Sequence, residues 1–118
     1  MWSRMDKIVK SLRVYHASSG QVPFEDWFED LRDEKGKGII IARLSRVRVG
    51  NLGDCKPVGQ GVLELRVDFG PGYRIYLGLD GRTIIILLCG GDKSSQSRDI
   101  RKAHEYWADY RRCRREKN

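Results

Sequence analysis

The sequence is poor in the residues that support disulfide, metal and imidazole chemistry. Its 118 residues include only three cysteines, Cys55, Cys89 and Cys113, and two histidines, His16 and His104. Three widely spaced cysteines without a Cys-x-x-Cys pair predict neither a disulfide framework nor a zinc knuckle. Two isolated histidines without an acidic pair are poor metal ligands, and no serine lies in a nucleophile elbow. We therefore expect no metal, no cofactor and no histidine-based triad.

Long hydrophobic runs are also scarce. The longest one, residues 83–89, is far too short to cross a bilayer, and residues 1–15 contain no apolar stretch of signal-peptide length. The cysteine usage fits a reducing compartment. We therefore expect a cytoplasmic protein without a membrane partner, folded as a single domain over residues 1–118.

Acidic residues are outnumbered by basic ones. The chain has 23 Lys plus Arg against 16 Asp plus Glu, which gives a formal net charge of +7. A small protein of this charge favours nucleic acid or another polyanion as its partner. The alternative is a basic face that contacts only solvent, and motifs are needed to choose between the two.

The N-terminal half predicts one strand followed by a helical hairpin. Polar and apolar residues alternate over residues 10–16, as in a half-buried strand. Pro23 begins a helix with one apolar stripe that ends near Glu34, and a second helix follows over residues 38–49. In the second helix, we expect Ile40, Ile41, Leu44 and Val47 to face the core and Arg43, Arg46 and Arg48 to face solvent.

The C-terminal half begins with a predicted β-hairpin around Gly70-Pro71-Gly72. With a three-residue turn, Asp68 pairs with Arg74 and Arg66 pairs with Tyr76 across the two strands. In this register, Arg66 and Arg74 share the face opposite the core.

Asp80-Gly81 predicts a second hairpin, whose outgoing strand, residues 82–89, is apolar on both faces like a central strand. A last helix follows over about residues 95–115. The predicted fold is α+β in the order β-α-α-β-β-β-α. It has a helical hairpin on one face of a mainly antiparallel sheet, and a C-terminal helix.

The segment GGDKS lies between a predicted strand and a predicted helix, where a phosphate-binding loop would lie. A nucleotide-binding loop of that type needs glycines where this chain has Leu88 and Asp92. Free amides at the helix start and the Lys93 ammonium could still hold one phosphate. The alternative is a capping loop, because Ser94 and Ser95 are both good N-caps.

Cations cluster on the predicted sheet: Arg66 and Arg74 project from paired strands, with Lys56 in the loop before them and Lys93 after the last strand. Such a site could cleave RNA without histidine, because arginines stabilise the transition state while a lysine moves the 2′-hydroxyl proton. The expected catalytic residues are Arg66, Arg74 and Lys93, and the expected substrate-binding residues are Lys56, Tyr76, Ser94 and Arg98. For Glu64 and Asp68, we expect ion pairing with these arginines.

Two segments, KPVGQGVLELRVDFGPGYRIY (residues 56–76) and LLCGGDKSSQSRDIRKA (residues 87–103), resemble the RelE/ParE superfamily of bacterial type II toxins. The closer resemblance is to its HigB-like branch of phage-related addiction module killer proteins, and it covers about residues 39–110. The order and spacing of ELR, GYR and GGDKSSQ are the specific features.

The resemblance implies a toxin that cleaves mRNA, usually on the ribosome, and that is held inactive by an antitoxin from the adjacent gene. That antitoxin is expected to be a small helix-turn-helix protein. In the ribonuclease members, the arginines of the LR and GYR strands map to Arg66 and Arg74, and a basic residue before the last helix maps to Lys93.

The chain departs from the ribonuclease pattern at two positions. Relatives often carry a lysine where this sequence has Glu64, and an aromatic base-stacking residue near the position of Asp99. Lys56 and Tyr76 are the candidates to supply the missing cation and stacking surface. Two other functions stay open at this point: a ParE-like DNA gyrase inhibitor, and an inactive remnant that binds its antitoxin or RNA.

Overall fold

The computed structural model describes residues 9–117, and within them it contains five β-strands and three α-helices. Residues 1–8, which belong to the segment expected to lack a signal-peptide core, and residue 118 lie outside the described residues. The strands are β1 (Ser11–Val14), β2 (Cys55–Pro57), β3 (Val62–Val67), β4 (Tyr73–Asp80) and β5 (Ile84–Asp92). The helices are α1 (Pro23–Asp30), α2 (Glu34–Arg48) and α3 (Gln96–Lys117), with a 3₁₀ turn (Lys93–Ser95) before α3. No helix of this part of the chain is both long and apolar enough to cross a membrane.

The strands form one mixed sheet in the order β1-β5-β4-β3-β2. β1 runs parallel to β5, and the other three pairings are antiparallel. The mainly antiparallel sheet and the C-terminal helix are therefore confirmed. The sequence did not predict β2, a three-residue edge strand that ends at Pro57, because three residues are too few to show an alternating pattern.

Helices cover both faces of the sheet. Phe24 of α1 and Ile40 of α2 pack with Leu65 and Ile75 on one face, which confirms the helical hairpin there. Trp107 of α3 packs on the other face, with Ala103, Tyr76 and Leu88. β5 is buried on both sides, as expected of a central strand.

The register of the β3–β4 hairpin differs by two residues from the predicted one. Arg66 lies directly opposite Arg74, and Val67 lies opposite Tyr73. The turn is longer than three residues because Asp68 and Phe69 belong to it, and the Gly72 N–H donates to the Phe69 carbonyl at 3.0 Å. The predicted Asp68–Arg74 and Arg66–Tyr76 pairs are therefore wrong. A shift of two residues preserves the faces of a strand, so Arg66 and Arg74 still share one face.

The boundary between α1 and α2 also differs from the prediction. α1 ends at Asp30, and α2 begins at Glu34 rather than Gly38. Asp33 caps α2 because its side chain accepts a hydrogen bond from the Gly36 N–H at 2.9 Å. Two glycines in the first turns of α2 obscured this start in the sequence.

The faces of α2 are partly reversed. Arg43, expected in solvent, is only 5% exposed, while Ile41, expected in the core, is 54% exposed. The Arg43 guanidinium donates from Nη2 to the Asp54 carbonyl at 3.0 Å and from Nε to the Arg66 carbonyl at 3.4 Å. These bonds between α2 and the chain around β3 favour burial of the arginine.

Candidate anion-binding site

Two arginines meet at one end of the sheet, on the face that α3 covers. Arg66 of β3 and Arg74 of β4 are direct cross-strand partners. The Arg66 side chain is 33% exposed and the Arg74 side chain 11%. Like charges placed directly opposite each other destabilise a sheet, so this pair needs a neighbouring negative charge.

Glu64 supplies that charge. Its side chain is fully buried, and it accepts hydrogen bonds from Arg66 Nε at 3.2 Å, Tyr76 Oη at 3.0 Å and Gln96 Nε2 at 2.8 Å. Arg74 Nε lies 4.0 Å from Glu64 Oε1. Burial alone raises the pKa of Glu64, but the bonds from Gln96, Arg66 and Tyr76 outweigh burial and hold the pKa below its ordinary value. We call Glu64, Arg66, Arg74, Tyr76 and Gln96 the arginine cluster.

The turn before β4 fixes the Arg74 side chain. Arg74 Nη1 donates to the carbonyls of Gly72 and Tyr73, both at 3.3 Å. Arg74 Nε is buried and has no hydrogen-bond acceptor among the described residues. The Glu64 carboxylate, 4.0 Å away, is beyond hydrogen-bonding distance and offsets the charge of this group through space.

Lys93 lies next to Arg74 at the end of the sheet. A Cβ atom added to Gly72 would be 3.5 Å from Arg74 Nη1 and 3.6 Å from Lys93 Cβ, so both side chains lie beside this glycine. Lys93 is exposed. The structure therefore brings together Arg66, Arg74 and Lys93, the three expected catalytic residues.

Asp92, rather than Ser94 or Ser95, caps the turn that leads into α3. Its carboxylate accepts bonds from the Ser94 N–H at 2.8 Å and the Ser94 hydroxyl at 2.5 Å, and Ser95 completes the capping box. The segment is therefore a capping loop, as one of the two alternatives had it, but with Asp92 in place of a serine as the N-cap. Because both donors of Ser94 are engaged, this residue has none left for the substrate contact expected of it.

A shallow depression of about 350 Å³ lies over the start of α3. Its lining residues are mostly basic or hydroxylic: Lys93, Ser94, Ser95, Gln96, Ser97, Arg98 and Arg101. Arg98 is mostly exposed, with Nε 4.0 Å from Asp99 Oδ1. Sequence reasoning missed Arg101, Gln96 and the central place of Glu64. The one available signal was the spacing of Arg98 and Arg101 along a helix.

Two of the expected substrate-binding residues, Tyr76 and Lys56, lie in surroundings that differ from the predicted ones. Tyr76 is fully buried with its hydroxyl bonded to Glu64, so the expected stacking surface is wrong. Lys56 is exposed on β2, directly opposite Glu64 in the register, which places it on the arginine face at the sheet edge. Asp99 accepts a bond from Ser95 and is only 7% exposed, so it offers no binding surface.

The histidines lie apart from the arginine cluster. His104 Nε2 is 2.9 Å from the Val58 carbonyl, a contact that joins α3 to the loop before β3, and His16 is exposed beyond β1. Among the residues that the structure describes, no group of three or more His, Cys, Asp or Glu is placed to hold a metal ion.

Comparison with known proteins gives a relative but no function. No protein-family profile matches the sequence. An uncharacterized protein of Haemophilus influenzae is 48% identical over 80 residues, which are 68% of this chain and 81% of that protein. The chain therefore belongs to the same family as this Haemophilus protein.

Proposed function

We propose that the chain is a toxin of the RelE/ParE superfamily, HigB-like, and that it inhibits translation as a ribosome-dependent mRNA endoribonuclease. The observation that carries the proposal is the direct cross-strand pairing of Arg66 and Arg74, with Lys93 beside Arg74. Three cations at one end of a sheet face suit a phosphodiester group. The similarity of the ELR, GYR and GGDKSSQ segments to the toxins supports the same assignment.

The chemistry needs only these side chains. The 2′-oxygen of one nucleotide attacks the adjacent phosphorus, and the bond from phosphorus to the 5′-oxygen of the next nucleotide breaks. Arg66 and Arg74 stabilise the extra negative charge of the pentacovalent transition state. Lys93 is exposed beside Arg74, and in its neutral form its amine would take the 2′-hydroxyl proton while the leaving 5′-oxygen gains a proton from solvent.

The proposal includes two kinds of partner in the cytoplasm. One is mRNA, bound on the ribosome. The other is an antitoxin, a small helix-turn-helix protein from the adjacent gene, whose acidic segment would cover the basic face. Complementary charge speeds the association of two such proteins and suppresses wrong pairings.

The test is Arg74→Ala, with Asp68→Ala as the matched control. Asp68 is exposed in the turn before β4 and contacts neither arginine of the cluster, so its loss changes the local charge alone. We expect Arg74→Ala to slow RNA cleavage on translating ribosomes by about a hundredfold to a thousandfold, the usual cost of one preorganised donor. Arg74→Lys should rescue poorly, because a point charge does not reproduce the fixed guanidinium.

Thermal melts of every variant show whether the protein remains folded. Normal melting together with undiminished cleavage in Arg74→Ala would rule out the active-site proposal. DNA supercoiling by gyrase is assayed in parallel. Inhibition of gyrase without RNA cleavage would replace the ribonuclease proposal with a ParE-like function.

A further inference from the structure

We propose that Glu64 is a positioning residue: its buried carboxylate orients Arg66 and Arg74 toward the substrate and takes no proton from it. The inference rests on the proposed function for the reaction that is served. The orientation itself is a property of the folded chain and can be measured without RNA.

The carboxylate of Glu64 is saturated by donors from three elements. Oε1 accepts from Arg66 Nε at 3.2 Å, and Oε2 accepts from Tyr76 Oη at 3.0 Å and Gln96 Nε2 at 2.8 Å. The side chain has no exposed surface. A general base needs access to the proton that it abstracts, and this carboxylate has none.

Arg66 is hydrogen-bonded at its inner end, through Nε, which leaves its outer nitrogens for a ligand, whereas the hydrogen bonds of Arg74 are made by Nη1. Arg66 uses Nε on Glu64, and its Nη1 and Nη2 make no hydrogen bond to the described residues. Arg74 directs Nε toward Glu64 at 4.0 Å and uses Nη1 on the carbonyls of the turn. Without the carboxylate, two opposed guanidinium groups would repel each other and lose this orientation.

Glu64 also connects the arginines to the start of α3. Gln96, the first residue of α3, lies three residues after Lys93 and donates to the same carboxylate oxygen as Tyr76. The bond therefore fixes the basic depression next to the arginines. One buried anion sets the relative positions of the two sheet cations and the helix start.

The experiment compares Glu64→Gln with Asp68→Asn, which removes the same charge from the exposed turn nearby. The first readout is the nuclear magnetic resonance signal of each arginine Nε–H group, assigned with Arg66→Lys and Arg74→Lys. In the wild type, we expect resolved Arg66 and Arg74 signals that exchange slowly with solvent. In Glu64→Gln, the chemical shifts of these two signals should move to the average value of exposed arginines, and the protons should exchange faster with solvent. In Asp68→Asn, the shifts and exchange rates should stay unchanged.

The second readout separates binding from turnover. Affinity is measured with an oligonucleotide whose 2′-deoxy sugars block cleavage, and cleavage is measured with the RNA of the same sequence. We expect Glu64→Gln to lower kcat by about tenfold or more, a loss of about 1.4 kcal/mol of transition-state stabilisation, with affinity and KM unchanged. Removal of the negative charge of Glu64 makes the site more positive, so its attraction for RNA is maintained. The lost orientation of the arginines matters only when charge develops at the phosphate in the transition state.

Each outcome decides between positioning and another role. Unchanged arginine signals in a folded Glu64→Gln protein would overturn the positioning role, whether or not RNA is cleaved. Changed signals in a protein whose wild type cleaves no RNA would support positioning and refute the ribonuclease. If Glu64→Gln does not fold, Glu64→Asp keeps the buried charge but shortens its reach, and the same signals should then shift; unshifted signals would overturn the proposal.

Discussion

Two arginines of the described residues are buried, and both lie next to β3. Arg43 of α2 donates only to backbone carbonyls, including that of Arg66, and burial lowers the pKa of its guanidinium. Arg74 lies on the opposite face of the sheet, beside Glu64. Arg43 therefore holds the backbone carbonyl of Arg66 from one face of the sheet, while Glu64 orients the Arg66 side chain on the other face. Arginine suits both places because its guanidinium stays charged and offers five donors in a fixed geometry.

At the residue scale, the ionised Glu64 predicts how stability depends on pH. Its folded pKa is below the unfolded one, so its stabilisation is present above about pH 4.3 and is lost as the pH falls toward the folded pKa. The groups that face the carboxylate are Arg66, Arg74, Tyr76 and Gln96. At pH 6, Glu64→Gln should be less stable than the wild type by about 1 to 3 kcal/mol.

That difference should shrink on acidification, because only the wild type loses the charge of Glu64. Urea unfolding of both proteins at pH 6 and at pH 3 measures it. A difference that stays constant or grows as the pH falls would contradict the assignment of a stabilising, ionised Glu64.

At the scale of elements, glycines of β4 and β5 allow the helices to approach the sheet. A Cβ at Gly90 would lie 2.2 Å from the Trp27 ring of α1, and one at Gly78 would lie 2.5 Å from the Trp107 ring of α3. Real Cβ atoms do not come so close. Each of these helices therefore places a tryptophan directly over a glycine of the sheet, on opposite faces.

This packing predicts that Gly78→Ala destabilises the protein by about 1 to 3 kcal/mol, because Trp107 must move away from β4. The control is Gly38→Ala on α2, where an added Cβ meets nothing within 4 Å. Alanine there should instead stabilise by about 0.5 to 1 kcal/mol through helix propensity. Urea unfolding measures both changes, and equal stability of Gly78→Ala and the wild type would show that α3 adjusts freely over the sheet.

Local patterns predicted the elements well and their register poorly. Alternation along β3 and β4 assigned Arg66 and Arg74 to one face, and a register error of two residues left that assignment intact. Turn length was not encoded so clearly, because Gly70-Pro71-Gly72 is compatible with both a short and a longer turn. The burial of Arg43 depends on carbonyls that only the tertiary fold brings to α2.

In the candidate site too, local patterns predicted some features, and others depend on the tertiary fold. Its cations could be predicted because each lies at the end of a patterned segment with a strong charge. The ion pairing of Glu64 with the arginines was predicted as well, but its bond to Gln96 was not, since that bond joins residues 32 apart and no local periodicity reports it. The sequence therefore indicated which cations come together, and the structure adds how they are held.

Across the whole molecule, part of the excess positive charge is compensated and part is not. Near the end of α3, Arg114 pairs with Asp80 at 2.5 Å and Arg112 pairs with Asp109. At the start of α3, Lys93 and Arg101 make no ion pair with the described residues and line the basic depression. A polyanion or an acidic protein segment would therefore be attracted to the start of α3 and the adjacent arginine cluster.

An antitoxin would inhibit this chain by covering the basic surface at the start of α3. If the adjacent gene encodes an acidic antitoxin, its complex with this chain should bury Lys93 and leave Lys35, an exposed residue of α2 lying over the Phe69 ring, open to solvent. Acetylation of free amines followed by mass spectrometry measures both lysines in one sample. We expect Lys93 to become protected in the complex and to react freely when high salt screens the charges and dissociates it, while Lys35 reacts at the same rate throughout. Equal reactivity of Lys93 in the free chain and in the complex would place the antitoxin elsewhere, and neutralisation would then have to act by a route other than covering the arginine cluster.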